Sequence, residues 1–291
     1  MAHTRFVVLV LGAAMALTAV IALQGTPGVP QLAPMPSTPA GKCLYLADAP
    51  LDRDDKEALR MQLDAWVATC REATAADPAN SKLKVALSRA YWHAVGREAS
   101  LAPMREAIVQ GDTEAMLDLF NDFNSFDRHL DRPDLIPRDE AERALRRAAE
   151  LGNAEAIWRL ATIKSRGGPF KHDMVEARKW GERAVANPPK EVGAGLVRLV
   201  VGHWLSLSDD ADQRKRGIAL LESLGERADA QAYLGEALRK DDPVKARALL
   251  EGAVRREPGR LFGAVRRDAA QRRGRPEGRE ARPRVAARGA L

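Results

Sequence analysis

Only two cysteines, Cys43 and Cys70, occur in 291 residues, and aromatic residues make up just 5% of the chain. Two cysteines cannot furnish a four-cysteine zinc site or a disulfide-dense scaffold. So few rings, beside abundant alanine and 30% charged residues, disfavour a strand-rich core and suit helices packed closely through small side chains. The five histidines (His3, His93, His129, His172 and His203) are scattered, none at metal-ligand spacing from another ligand type. There is no Gly-x-Ser-x-Gly elbow, phosphate loop or dinucleotide fingerprint. The acid pairs Asp54-Asp55 and Asp209-Asp210 are adjacent, so they point apart on a helix and read as caps. No catalytic residue, metal ligand or cofactor site is expected, and the acids are expected to be spread evenly over helix surfaces.

The net charge of +6 belongs to one end of the chain. Arg255 to Leu291 holds 12 arginines, no lysine and 4 acids, whereas the preceding 254 residues are close to neutral at −2. That tail, 257–291, reads as disordered or as the product of a shifted reading frame. It lacks interleaved aromatics, and no nucleic-acid partner is expected. At the other end Arg5 precedes an uninterrupted apolar run, Phe6 to Leu23, of 18 residues. Residues 1–24 thus read as an export signal or, uncleaved, as a membrane anchor, the chain's only expected contact with a membrane. Either way the body is expected outside the cytoplasm, periplasmic or secreted. Residues 25–42 hold five prolines and read as a linker. In an oxidising compartment Cys43 and Cys70 point to a disulfide, with two buried thiols as the alternative.

Between these ends the sequence repeats itself. Gly152-Asn-Ala-Glu155-Ala-Ile-Trp158-Arg-Leu160 matches Gly111-Asp-Thr-Glu114-Ala-Met-Leu-Asp-Leu119 at an offset of 41. The small-x-small-x-x-x-Leu pattern recurs before Leu199 and Leu234. A second pattern alternates with it: Ala141 and Ala148, Ala177 and Ala184, Gly217 and Leu224, and Ala246 and Ala253 are each seven apart. Two short helices per unit, A and B, with small residues where their backbones meet, account for both patterns. One such hairpin cannot bury its apolar stripe alone, so 43–256 is predicted to stack as a helical repeat domain. Asp139, Asp173 and Asp242 stand where caps of B helices are expected.

The block Asn153-Ala-Glu-Ala-Ile-Trp-Arg-Leu-Ala through Arg166-Gly, Asp173, Glu176-Ala, Trp180 and Ala184 resembles a Sel-one-like repeat, a relative of the tetratricopeptide repeat. The segment Cys43 to Tyr91 is similar to the opening module of exported bacterial members, in its paired cysteines and its Ala-Asp-Pro-Ala-Asn turn. The resemblance implies an all-α solenoid of antiparallel helix pairs in a right-handed superhelix, used as an adaptor or assembly scaffold, with no cofactor.

In such A helices, unit positions two, five, nine and twelve face the groove when the packing leucine is seven. Leu87, Leu119, Leu160, Leu199 and Leu234 set that register. It lists Lys82, Val85, Arg89 and Trp92, then Glu114, Leu117, Asn121 and Asn124, then Glu155, Trp158, Thr162 and Ser165. Ala194, Val197, Val201 and Trp204 follow, then Asp229, Ala232, Glu236 and Arg239. Three of the five tryptophans fall on this face. Arg89, Trp92, Glu155, Trp158, Thr162, Trp204 and Arg239 are the candidate binding residues, with interhelix packing as the alternative role of the rings. The expected function is a scaffold for a protein partner in the cell envelope, its assembly machinery included. The alternative is a polysaccharide- or peptidoglycan-active enzyme, which needs two carboxylates converging in a cleft.

Overall fold

The computed structural model describes residues 34–126 and 135–257, and the apolar run and nearly all of the arginine-rich tail lie outside them. Twelve helices and no strand occur among the described residues: α1 (Pro39–Asp48), α2 (Lys56–Ala76), α3 (Ser81–Ala94), α4 (Arg97–Val109), α5 (Thr113–Phe126), α6 (Arg138–Glu150), α7 (Ala154–Arg166), α8 (Met174–Ala186), α9 (Ala194–Ser206), α10 (Ala211–Glu222), α11 (Ala228–Leu238) and α12 (Pro243–Arg256). None of them is long and apolar enough to cross a membrane.

From α3 onward the helices pair as expected for A and B: α3 with α4, α5 with α6, α7 with α8, α9 with α10 and α11 with α12. Each B helix then meets the next A helix. The apolar spacing explains why these segments are helices that need neighbours. In α6 the buried residues are Ala141, Ala144, Leu145, Ala148 and Ala149, a stripe at helical intervals on an otherwise charged segment. Small residues sit at the closest approaches. A Cβ on Gly217 of α10 would lie 2.2 Å from the Ser206 nitrogen of α9, and one on Gly235 of α11 would lie 2.9 Å from the Ala246 oxygen of α12. The fold is an all-α solenoid of antiparallel helix pairs.

Capping fixes most boundaries. Asp55, Asp173, Asp210 and Asp242 each accept hydrogen bonds from amides of the first turn of their helix. Asp139 does not. The cap of α6 is Pro137, and Asp139 lies inside the first turn, ion-paired with Arg143 one turn on. A second correction concerns the segment 25–42 read as linker. Helix α1 opens at Pro39 within it, because Thr38 caps the Gly41 amide and a proline at the first helical position forfeits no bond. Cys43 of α1 and Cys70 of α2 are disulfide-bonded, with Cα atoms 4.8 Å apart. Both are fully buried, in a small core with Trp66, Ala73, Leu83, Ala86, Leu87 and Ala90 that is separate from the main one.

One polar cluster ties α6, α7 and α8 together. The buried Lys164 ammonium contacts Glu142 at 2.7 Å and Glu176 at 3.3 Å, while Arg146 pairs with both carboxylates. The Trp180 indole also donates to Glu176, at 3.2 Å. Burial pushes the Glu176 carboxyl up. The hydrogen bonds from Arg146 and Trp180 and the charges of Arg146 and Lys164 outweigh it and hold the group at about 2. A carboxyl held low in the fold contributes stability that is fully present above its unfolded value and is lost as pH falls from about 5 toward 2. Glu176→Gln is therefore expected to cost about 2 kcal/mol at pH 7. It should also flatten the acid limb of the stability curve. Thermal melts of both proteins between pH 3 and 7 check this, and an unchanged acid limb would refute it.

Candidate functional site

The candidate binding residues fall into two groups on the A helices. The first is a cleft of about 280 Å³ between α3 and α5, lined by Ser88, Arg89, Trp92, His93, Met104, Asp118, Asn121 and Asp122. Arg89 is engaged within the protein. Its guanidinium donates to Asp118 at 2.9 Å and lies 3.7 Å from Glu114. Trp92 is 41% exposed, its ring centroid 4.6 Å from that of His93 with the two planes nearly perpendicular. Burial, with the Arg53 charge behind it, lowers the His93 imidazole below its ordinary range, so it is neutral at pH 7.

Two residues of this cleft escaped the sequence reading. Asp118 and Asp122, one turn apart on α5, converge in the cleft, which corrects the expectation that the acids are evenly spread. Asp122 is the unusual one. Its Oδ2 atom is buried and accepts no hydrogen bond. Burial pushes its carboxyl up to about 6, against the favourable charge of Arg97 and with the unfavourable charge of Asp118. The signal available in the sequence was two aspartates four apart amid the leucine and phenylalanine of Leu117-Asp-Leu-Phe-Asn-Asp122-Phe.

The second group lies on α7 and α9. Trp158 and Trp204 stack, ring centroids 6.2 Å apart and planes 15° from parallel, and both pack against the main core. Their rings join adjacent A helices, with the Trp204 carbonyl accepting from Arg178 of α8. Beside Trp158, Glu155 accepts from Arg159 at 2.7 Å, leaving its other oxygen buried without a donor. The Thr162 hydroxyl donates back to the Arg159 carbonyl. Arg239 is exposed and caps the end of α11 rather than lying within it. Three residues on the groove register are core instead: Val85, Val197 and Val201 are at most 5% exposed. Their branched apolar side chains fill the seams between neighbouring hairpins, so the A-helix face is interrupted rather than one continuous groove.

No group of three or more histidine, cysteine or acidic side chains among the described residues is arranged to hold a metal ion.

Comparison with protein-family models and with curated proteins finds no match. Among solved structures the chain is similar to a Sel1 repeat protein from Oxalobacter formigenes, at 17% identity over 67% of this chain and 83% of that one, with a TM-score of 0.44. It is also similar to a protective antigen of uropathogenic Escherichia coli displaying an SLR fold, at 15% identity and a TM-score of 0.46. That match covers 74% of this chain but only 45% of the antigen. The class of this protein, a helical-repeat solenoid, rests on its own helix pairing.

Proposed function

We propose that this chain is an exported scaffold that binds a protein partner of the cell envelope along its A helices. The observation that carries the reading is the cleft between α3 and α5. There a large ring stands exposed beside a cavity that Asp118 and Asp122 also line. Exposed tryptophan is scarce on monomeric surfaces and common as an interface anchor, because it buries much area for few torsions. Export is supported by the apolar run Phe6 to Leu23 and by the Cys43–Cys70 bridge, which suits an oxidising compartment.

Trp92→Ala is expected to abolish partner capture from envelope extract while leaving Tm within about 2 °C, since a half-exposed ring adds little to stability. Val175→Ala, exposed on the B helix α8, should capture as wild type does. Equal capture by Trp92→Ala and wild type would end the proposal.

A second reading has one observation behind it. Two aspartates in a cleft, one titrating near pH 6, are the pair a polysaccharide-cleaving enzyme would need. It is the weaker reading because Asp118 is held by Arg89 and is not free to act as base or nucleophile. Hydrolysis of peptidoglycan that disappears in Asp122→Asn would favour it.

A further inference from the structure

The last hairpin of the solenoid is held by few contacts. Helices α11 and α12 join α9 and α10 through a small core of Leu199, Leu221, Ala230 and Leu234, separate from the main one. In a stacked array each unit is held only by its neighbours, so every contact in such a seam counts. One of those contacts pairs His203 of α9 with Tyr233 of α11. Their rings stack with centroids 4.0 Å apart and planes 22° from parallel. The His203 Nδ1 atom is buried and has no hydrogen-bond partner.

That atom makes the ring sensitive to charge. A neutral imidazole can keep its proton on Nε2 and leave a bare lone pair at Nδ1. A charged one carries hydrogen on both nitrogens, which puts a donor at Nδ1 where nothing accepts it. The surrounding groups do not compensate. Glu236 of α11 attracts a charged ring, but it is exposed and water screens it. Asp229, also of α11, is tied to Arg227, and Arg198 of α9 is exposed. Helix α10 meets α9 through Gly217, Leu220 and Leu221. Helix α8 brings Gly181 and a cation, Arg178, which bonds the Trp204 carbonyl. Burial therefore outweighs Glu236 and holds the His203 imidazole below its ordinary value of 6.5.

We propose that this seam is an acid-operated release, in which protonation of His203 loosens the terminal hairpin α11–α12 from α9 and α10. Above about pH 6.5 the ring is neutral in the closed and the opened hairpin alike, and the seam keeps its full strength. As pH falls below that, the opened hairpin binds the proton more readily, and stability is lost until the closed ring is charged too. Opening uncovers Leu199, Leu221, Ala230 and Leu234, an apolar face that is buried in the closed solenoid. His93 of α3 is also lowered and Asp122 of α5 is raised to about 6, so total stability mixes several groups. The place along the chain where protection is lost identifies His203.

The test is hydrogen exchange of the full chain at pH 7.5 and 5.0, read as protection factors so that the intrinsic exchange rate cancels. The ratio of protection in α11 and α12 to that in α9 and α10 should fall at least about threefold on acidification. His203→Phe keeps a ring against Tyr233 but takes up no proton, so its ratio should not change. His203→Gln replaces it if the phenylalanine variant does not fold. His172→Gln, exposed between α7 and α8, should lose protection as wild type does. By NMR, the imidazole signal that disappears in His203→Phe should titrate below the ordinary histidine range. Loss spread evenly over both hairpins, an equal loss in His203→Phe, or an ordinary titration of that signal overturns the proposal. Partner capture plays no part in these readouts, so the outcome is independent of the scaffold reading.

Discussion

Removing the Cys43–Cys70 bridge is expected to lower stability by about 3.5 kcal/mol, the chain-entropy value for the loop it closes. The two cysteines are 27 residues apart and join α1 to α2. The loss should not spread evenly. In a solenoid each element touches only its neighbours, so stability is a sum of local terms. Among the described residues helix α1 packs chiefly on α2 and α3, and it is ten residues long, too short to persist without its partners. The small core around Trp66, Leu83 and Leu87 is separate from the main core that runs from α3 to α9. Cys43→Ala/Cys70→Ala should therefore show an early calorimetric transition, several degrees below the main one, with proteolysis beginning between residues 39 and 55. Alanine is preferable to serine because both sites are fully buried, and two hydroxyls there would add an unrelated penalty. A single transition at the wild-type Tm would show that the bridge stabilises nothing.

Much of the solenoid was legible because its two patterns have different physical origins that do not blur together. Small residues seven apart, as at Ala141 and Ala148 or Ala246 and Ala253, mark where backbones meet. Asp173, Asp210 and Asp242 mark where helices open. What was missed follows from context. Proline reads as a breaker, yet Pro39 starts a helix and Pro103 sits buried inside α4. Asp139 looked like Asp173, but Pro137 already occupied the cap position. At the site, one register was asked to serve five hairpins. Arg89, Trp92, Glu155, Trp158, Thr162 and Trp204 do lie on A helices, but whether each meets solvent depends on the next hairpin. The Trp158–Trp204 stack spans two hairpins, so nothing local could announce it. The pairing of Asp118 with Asp122 needed α3 alongside to become a cleft. Val85, Val197 and Val201 were readable as core from their side chains, had the register not been given precedence.

Gly217→Ala is expected to destabilise the protein by at least 3 kcal/mol, although alanine is the better helix former by about 1 kcal/mol. The reason is the neighbour. A Cβ at 217 would lie 2.2 Å from the Ser206 nitrogen, 2.7 Å from the Gly202 oxygen and 2.7 Å from the Leu205 carbonyl carbon, all backbone atoms of α9. Backbone cannot rotate away as a side chain can, so α9 and α10 must separate. Gly202 is tight on the facing side, its own added Cβ falling 3.2 Å from the Gly217 oxygen. Separation would uncover Val201, Leu205 and Leu221, each no more than 1% exposed. Overpacking inside a core usually costs about 1 to 3 kcal/mol. A clash against main chain belongs at or above the top of that range. The same substitution at Gly252 of α12 is the internal control. There the new methyl would meet only side-chain ends, Arg256 and Gln231 at 3.3 Å, so alanine should be neutral or stabilising by up to about 1 kcal/mol. Urea titrations of the two variants should move the midpoint in opposite directions, or leave Gly252→Ala unmoved while Gly217→Ala drops. If both variants gain stability, the close approach of α9 to α10 is wrong, and with it the reading of small residues as contact points between paired helices.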